Sequence, residues 1–257
     1  MTQLQAALVA AGYWFTNSAF NANLGFNLLR WPLVAGALVG WLMGDVERGV
    51  LIGASINLVF LGTIWAGASQ PSDPALAGWL GTAIAFAANL NPVEAVAIAA
   101  PLGFLPLLAV FNRMRVDVSF ARRAAAAAER GDIRSVAFWN VVPPQLYLFA
   151  TTFFPAFLLA LLGAATVGFI YALVDPARGG SADWRWVRDG LFVAGSLLMA
   201  LGVAMNLNLM LSRSTAPYFA LFFVVAALTH APLAVLAGFA ALLAMLYVVI
   251  QRRRAHA

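Results

Sequence analysis

The chain has 257 residues, 63% apolar and only 10% charged, against about 25% charged residues in an ordinary soluble domain. Too few charges are present to coat a soluble surface, so the chain is a polytopic all-α membrane protein, read as one domain over 1–257. Cysteine is absent and all fifteen basic residues are Arg. This excludes disulfides, thiolate metal sites and thiol nucleophiles. The net charge of +5 sits at membrane flanks, as the positive-inside bias places it, and is no nucleic-acid signal.

Residues 4–20 predict a first apolar helix of about 25 Å. A cleavable signal peptide is not expected: residues 1–3 lack a basic residue, and Asn17, Asn21, Asn23 and Asn27 interrupt the stretch where cleavage would fall. Residues 21–27 read as an interfacial or buried turn. Residues 31–44 form a run of about 21 Å as a helix, too short to cross a bilayer alone, and 49–67 form a second apolar run. Gly36, Gly40 and Gly44, then Gly49 and Gly53, recur at four-residue spacing, which lets helix backbones approach closely. Packing is the expected use, a sliding surface the alternative. Between the runs, Asp45–Arg48 reads as a solvated turn, with Asp45 capping the next helix and Arg48 pairing with an acid.

A polar break follows, Ser69-Gln70-Pro71-Ser72-Asp73-Pro74. Residues 75–90 predict a short helix. Residues 92–112 predict a longer one, with Pro92 in its first turn and kinks at Pro101 and Pro106. The stretch 113–134 holds six Arg against Asp117, Glu129 and Asp132, a cytoplasmic amphipathic helix ended by Gly131. Residues 136–174 carry no charge. A straight helix of that length would run about 60 Å, so breaks are expected at Pro143-Pro144 and Pro155, with the crossing at 149–173.

Loop 175–189 balances Arg178, Arg185 and Arg188 against Asp175, Asp183 and Asp189 and is expected outside, with Trp184 and Trp186 at the interface. Residues 190–211 return inward. Residues 215–250 supply two crossings or a re-entrant pair about Thr229–Pro232, and the tail 252–257, with three Arg, is cytoplasmic.

Six residues stand out as candidate ligand contacts. Asn57 lies mid-run in GASINLVFLG; a buried amide in lipid needs a partner, either another helix or the donors and acceptors of a sugar. Ser69, Gln70 and Asp73 lie in the polar break, which either lines a cavity or is an extramembrane loop. Asp73 is its strongest acceptor. Asn206 and Asn208 form a second polar pair in an apolar helix and point to different faces. Catalytic and metal constellations are missing: His230 and His256 have no ligand-spaced neighbours, and there is no phosphate-binding or dinucleotide fingerprint. No cofactor is implied.

The ordered set RWPLVAGALVG, GD, GASINL and PSDPALA, then GLFVAGS at 190–196, Gly202–Met205 with Asn208, and Pro217-Tyr218-Phe219, resembles the IIC membrane subunit of mannose-family phosphotransferase systems, which include sorbose and N-acetylgalactosamine systems. The similarity runs from about residue 3 to 250. It implies a bacterial inner-membrane transport subunit, not an enzyme, paired with a IID subunit and importing a hexose or amino sugar by an elevator motion of a core against a scaffold. It implies IIA and IIB carriers that relay phosphate through histidines, and a trimer of IIC–IID pairs. Asp73 matches the family's Asp after the proline-containing break. Asn57 stands where the family usually carries Glu, and the Asn-rich N-terminal segment lacks the family's acidic residue. The rival readings are a membrane scaffold or assembly subunit without a substrate site, and a transporter that works without phosphotransferase coupling.

Overall fold

In the computed structural model every regular element among the described residues, 1–23, 27–62, 72–174, 185–229 and 233–255, is helical. The chain divides into two compact units, 1–206 and 207–257. In the first, α1 (Gln3–Asn17) starts at a capping box, with Gln5 N donating to Thr2 Oγ1 and Thr2 N to Gln5 Oε1. It ends where Ser18 Oγ donates to Phe15 O. After short turns at Ala19–Asn23 and Asn27–Arg30, α2 (Pro32–Met43) opens on Pro at its first position and closes on Gly44 at φ +87°, a left-handed value that favours glycine. Asp45 then caps α3 (Val46–Phe60) through Arg48 N at 2.9 Å.

The spaced glycines are spent between α2 and α3. A Cβ on Gly36 would lie 2.6 Å from Gly49 O and Gly53 Cα, and one on Gly49 would lie 2.5 Å from Gly36 O and Gly40 Cα. The two short helices therefore touch backbone to backbone, and dispersion between them replaces the hydrophobic drive that lipid does not supply. Arg48 corrects its expectation: its guanidinium donates to Leu90 O at 3.0 Å and lies over the Phe86 ring. A carbonyl acceptor and a ring face take the place of the acids.

Helix α4 (Pro74–Ala87) is the centre of the unit. It starts at Asp73 and contains one π-turn, Ala77–Gly81. Its residues 74–85 are all buried, as an apolar helix enclosed on every side requires. Trp79 and Leu80 pack with Val9 and Tyr13 of α1 and Val39 of α2; Ala77 and Ala85 pack with Ile52 and Ile56 of α3 and with α5 (Pro92–Leu102). Gly78 meets Pro32 Cα and Gly81 meets Ala99, so small residues seat α4 against its neighbours. Buried Trp79 Nε1 donates to Thr16 Oγ1 at 3.1 Å.

The expected helix over 92–112 is two helices. α5 ends at Leu102, and α6 (Leu107–Glu129) begins after Pro106. Two prolines five residues apart separate the helices where one would only kink. α6 ends at Arg130, with Gly131 at φ +70°. The expected breaks at Pro143-Pro144 and Pro155 are absent: α7 (Ile133–Val174) runs as one helix of 42 residues. Its length is accommodated because its first half packs along α6. There Phe120 stacks on Trp139, Arg123 lies over the Trp139 ring, and Asn112 Nδ2 donates to Tyr147 Oη. α8 (Arg185–Met210) crosses α3 at Gly202, which lies against Leu58 and Val59.

In the second unit, Ser212 and Thr215 exchange backbone-to-side-chain hydrogen bonds ahead of α9 (Ala216–Thr229), and α10 (Leu233–Ala255) follows. α9 has no buried residue, and apolar side chains such as Phe223 and Leu228 are exposed. Two described helices, Ile133–Phe169 and Arg185–Met210, are long and apolar enough to cross a bilayer, and Pro32–Met43, Pro74–Ala87 and Pro92–Leu102 are shorter.

Candidate functional site

Asp73 sits at the N-terminus of α4 and makes three kinds of contact. Its Oδ1 accepts from Ala75 N and Leu76 N at 3.0 and 3.3 Å, its Oδ2 accepts from Tyr13 Oη at 2.7 Å, and its own N–H donates to Gly103 O at 2.7 Å. The helix end favours the negative charge, and Pro74 at the first position preorganises the turn. The carboxylate is thereby fixed between α1, α4 and the loop after α5.

Beside it lies a cavity of about 210 Å³, smaller than the about 300 to 1,000 Å³ of drug-sized sites and scaled for a small polar ligand. Its walls come from α1, α4, α6, α7 and the loop at Leu105 and Pro106. Asp73 shares them with Tyr13, Asn17, Asn112, Arg113, Tyr147, Thr151 and Thr152. Thr151 and Thr152 donate their hydroxyl hydrogens to Tyr147 O and Leu148 O one helical turn back. This leaves their oxygens as acceptors. Asn17 Nδ2 donates to Tyr13 O, and Asn17 Oδ1 accepts from Arg30. The wall thus combines a carboxylate, hydroxyls, amides and one guanidinium with apolar Leu76, Ala156 and Leu159. Such a surface can bind a polyhydroxylated molecule from several sides.

Of the candidate residues, Asp73 lines this cavity. Asn57 does not. It lies on α3, and its Oδ1 is buried with no hydrogen-bond partner. Asn206 lies half-buried on α8, its backbone nitrogen 3.4 Å from where a Cβ on Gly62 would stand, and Asn208 is exposed in the other unit. Ser69 and Gln70 fall outside the described residues. Sequence reasoning missed Tyr13, Asn17, Asn112, Arg113, Tyr147 and Thr151. A usable signal existed for two pairs: Tyr13/Asn17 and Tyr147/Thr151 are polar residues one helical turn apart in otherwise apolar runs.

A family model described as the PTS system sorbose-specific IIC component matches residues 3–246. The chain belongs to this family. It is 29% identical over 219 residues to the mannose-specific EIIC component of Escherichia coli K12, covering 84% of this chain and 78% of that one. It is also 29% identical to the fructose permease IIC component of Bacillus subtilis, covering 88% and 80%. Among solved structures it resembles one described as a membrane protein, at TM-score 0.67 and 27% identity, and the cryo-EM structure of the mannose transporter ManYZ with microcin E492, at TM-score 0.56 and 28% identity. Each likeness covers 96% of both chains. As a IIC component the chain is an integral membrane transport subunit of a sugar phosphotransferase system, and phosphorylation is the work of other components. The exposed apolar surfaces of α7 and α8 are those of a chain solvated by lipid.

Proposed function

We propose that this IIC subunit imports a hexose or amino sugar across the bacterial inner membrane together with a IID subunit, coupled to phosphoenolpyruvate through IIA and IIB carriers. The observation that carries the reading is the cavity at Asp73, where a carboxylate fixed on a helix N-terminus faces hydroxyl and amide groups from three other helices. A carboxylate accepts hydroxyl hydrogens more strongly than any neutral group, so Asp73 is assigned as the main sugar acceptor. Asn57, outside that cavity but with a buried acceptor that has no partner, is a separate candidate contact, as are Ser69 and Gln70, and Asn206 or Asn208 are lesser candidates. The IID partner is supported by the likeness to ManYZ, itself a mannose transporter. An elevator motion through broken helices, a trimer of IIC–IID pairs, and a cytoplasmic α6 and tail belong to the same reading. They rest on the family and on the Arg-rich flanks.

Uptake of labelled mannose, fructose, sorbose and N-acetylgalactosamine in cells that also express the IID partner tests it. Uptake of one of them that falls with Asp73→Ala and requires phosphoenolpyruvate in vesicles supports the reading. Uptake without phosphoenolpyruvate would favour an uncoupled transporter, and uptake of none would favour a scaffold.

A further inference from the structure

Arg113 stands in the wall between two cavities. One is the Asp73 cavity. The other is a larger, more open hollow of about 340 Å³, where Asn17 and Arg113 recur and Asp117, Asn140 and Gln145 add polar groups. Under the function proposed above, the ligand changes charge during transport. A hexose or an N-acetylated amino sugar enters neutral and leaves as a phosphate ester carrying nearly two negative charges. A neutral sugar offers a guanidinium nothing that a hydroxyl or amide could not use, whereas a phosphate is its chemical complement.

Arg113 is free to take that role. Its Nε lies 3.9 Å from Asp117 Oδ2, and the two side chains are 43% and 47% exposed. A long, exposed pair of this kind holds by at most about 1 kcal/mol. Asp73, in the first cavity, attracts hydroxyl hydrogens and repels a phosphate. We propose that Arg113 is the product-side anion contact, which takes the phosphoryl group of the sugar phosphate as it moves from the Asp73 cavity into the hollow beyond. The same two groups then sort substrate from product by charge. Asp117 opposes the anion, so the assignment also fixes the sign of its removal.

The test uses the full chain with its IID partner in nanodiscs and measures binding of the four sugars named above and of their phosphate esters. For the sugar that binds, Arg113→Gln is expected to raise the ratio of the Kd for the ester to that for the sugar tenfold or more. Arg113→Lys should restore part of it, and Asp117→Asn should tighten the ester. A ratio unchanged by Arg113→Gln overturns the assignment. Inorganic phosphate that competes as well as the ester would make this a site for a free anion, and a loss reproduced only by omitting phosphatidylglycerol from the nanodisc would make it a lipid headgroup site; both overturn it. A wild type that binds a sugar but not its ester overturns the role of Arg113 and leaves the sugar site standing. A wild type that binds none of the four overturns both.

Discussion

Tyr13 Oη donates to Asp73 Oδ2 at 2.7 Å, joining the first helix to the start of α4 at the edge of the polar cavity. The same carboxylate caps α4 through its other oxygen, so binding and architecture can be separated by substitution. Asp73→Asn keeps a capping oxygen and loses the charge. Uptake should fall about tenfold to a hundredfold in kcat/KM, the loss of one charged hydrogen bond of about 1.5–3 kcal/mol, with little change in Tm. Asp73→Ala should lose the cap as well, about 1 kcal/mol of stability. Tyr13→Phe should weaken uptake less than either. Transport kinetics and thermal unfolding of the same purified variants check the split, and an Asp73→Asn protein with wild-type uptake removes Asp73 from the site.

The glycines of α2 and α3 answer differently by position. A Cβ on Gly49 would meet Gly36 O and Gly40 Cα at 2.5 Å, whereas nothing lies within 4 Å of one on Gly168 in α7. Gly49→Ala should destabilise by about 1–3 kcal/mol through overpacking against backbone that cannot give way. Gly168→Ala should be neutral or stabilising by up to about 1 kcal/mol, because alanine favours helix. Thermal unfolding in detergent separates them, and equal shifts would show that the α2–α3 contact is looser than its geometry.

The α2–α3 contact was legible in the sequence because four-residue glycine spacing has few other uses in an apolar segment. Asp45 was legible as a cap; Asp73 was read as a sugar acceptor, and the structure shows it capping α4 and accepting from Tyr13. Asn112 and Arg113 were not legible, since the cavity joins residues as far apart in the chain as Tyr13 and Leu159 and no local pattern records that meeting. Pro143 and Pro144 of α7 misled for a related reason. Their effect on a helix depends on what packs beside it, and α6 lies along that half. Arg48 was assigned to an acid because charge is visible in a sequence and the Leu90 carbonyl is not.

Asp132 gives a pH-dependent check at the turn between α6 and α7, outside the membrane-spanning segments. Ser135 donates both its hydroxyl and its N–H to this carboxylate, which holds it below the usual carboxylate range. A depressed carboxylate contributes stability above its unfolded value, and that contribution is lost as pH falls through the folded value. The turn should therefore keep its order through neutral pH and loosen only in acid, below the ordinary range of aspartate. A carboxylate NMR titration should find Asp132 low and should move it upward in Ser135→Ala. No movement would show that the capping bonds are not formed in solution.

Asn57 poses the sharpest choice between structure and transport. Its Oδ1 is buried without a partner, which costs stability unless a ligand or partner chain satisfies it. Asn57→Leu removes that cost while roughly keeping the volume, so the variant should be as stable as the wild type or more so. If Asn57 holds the sugar, the same substitution should reduce uptake tenfold or more. Asn57→Glu, which keeps a hydrogen-bond acceptor at this position, should retain more uptake than Asn57→Leu. The two measurements decide together. Lost stability with unaltered uptake per folded molecule would make Asn57 an interhelical hydrogen-bonding residue, and retained stability with lost uptake would make it part of the sugar path.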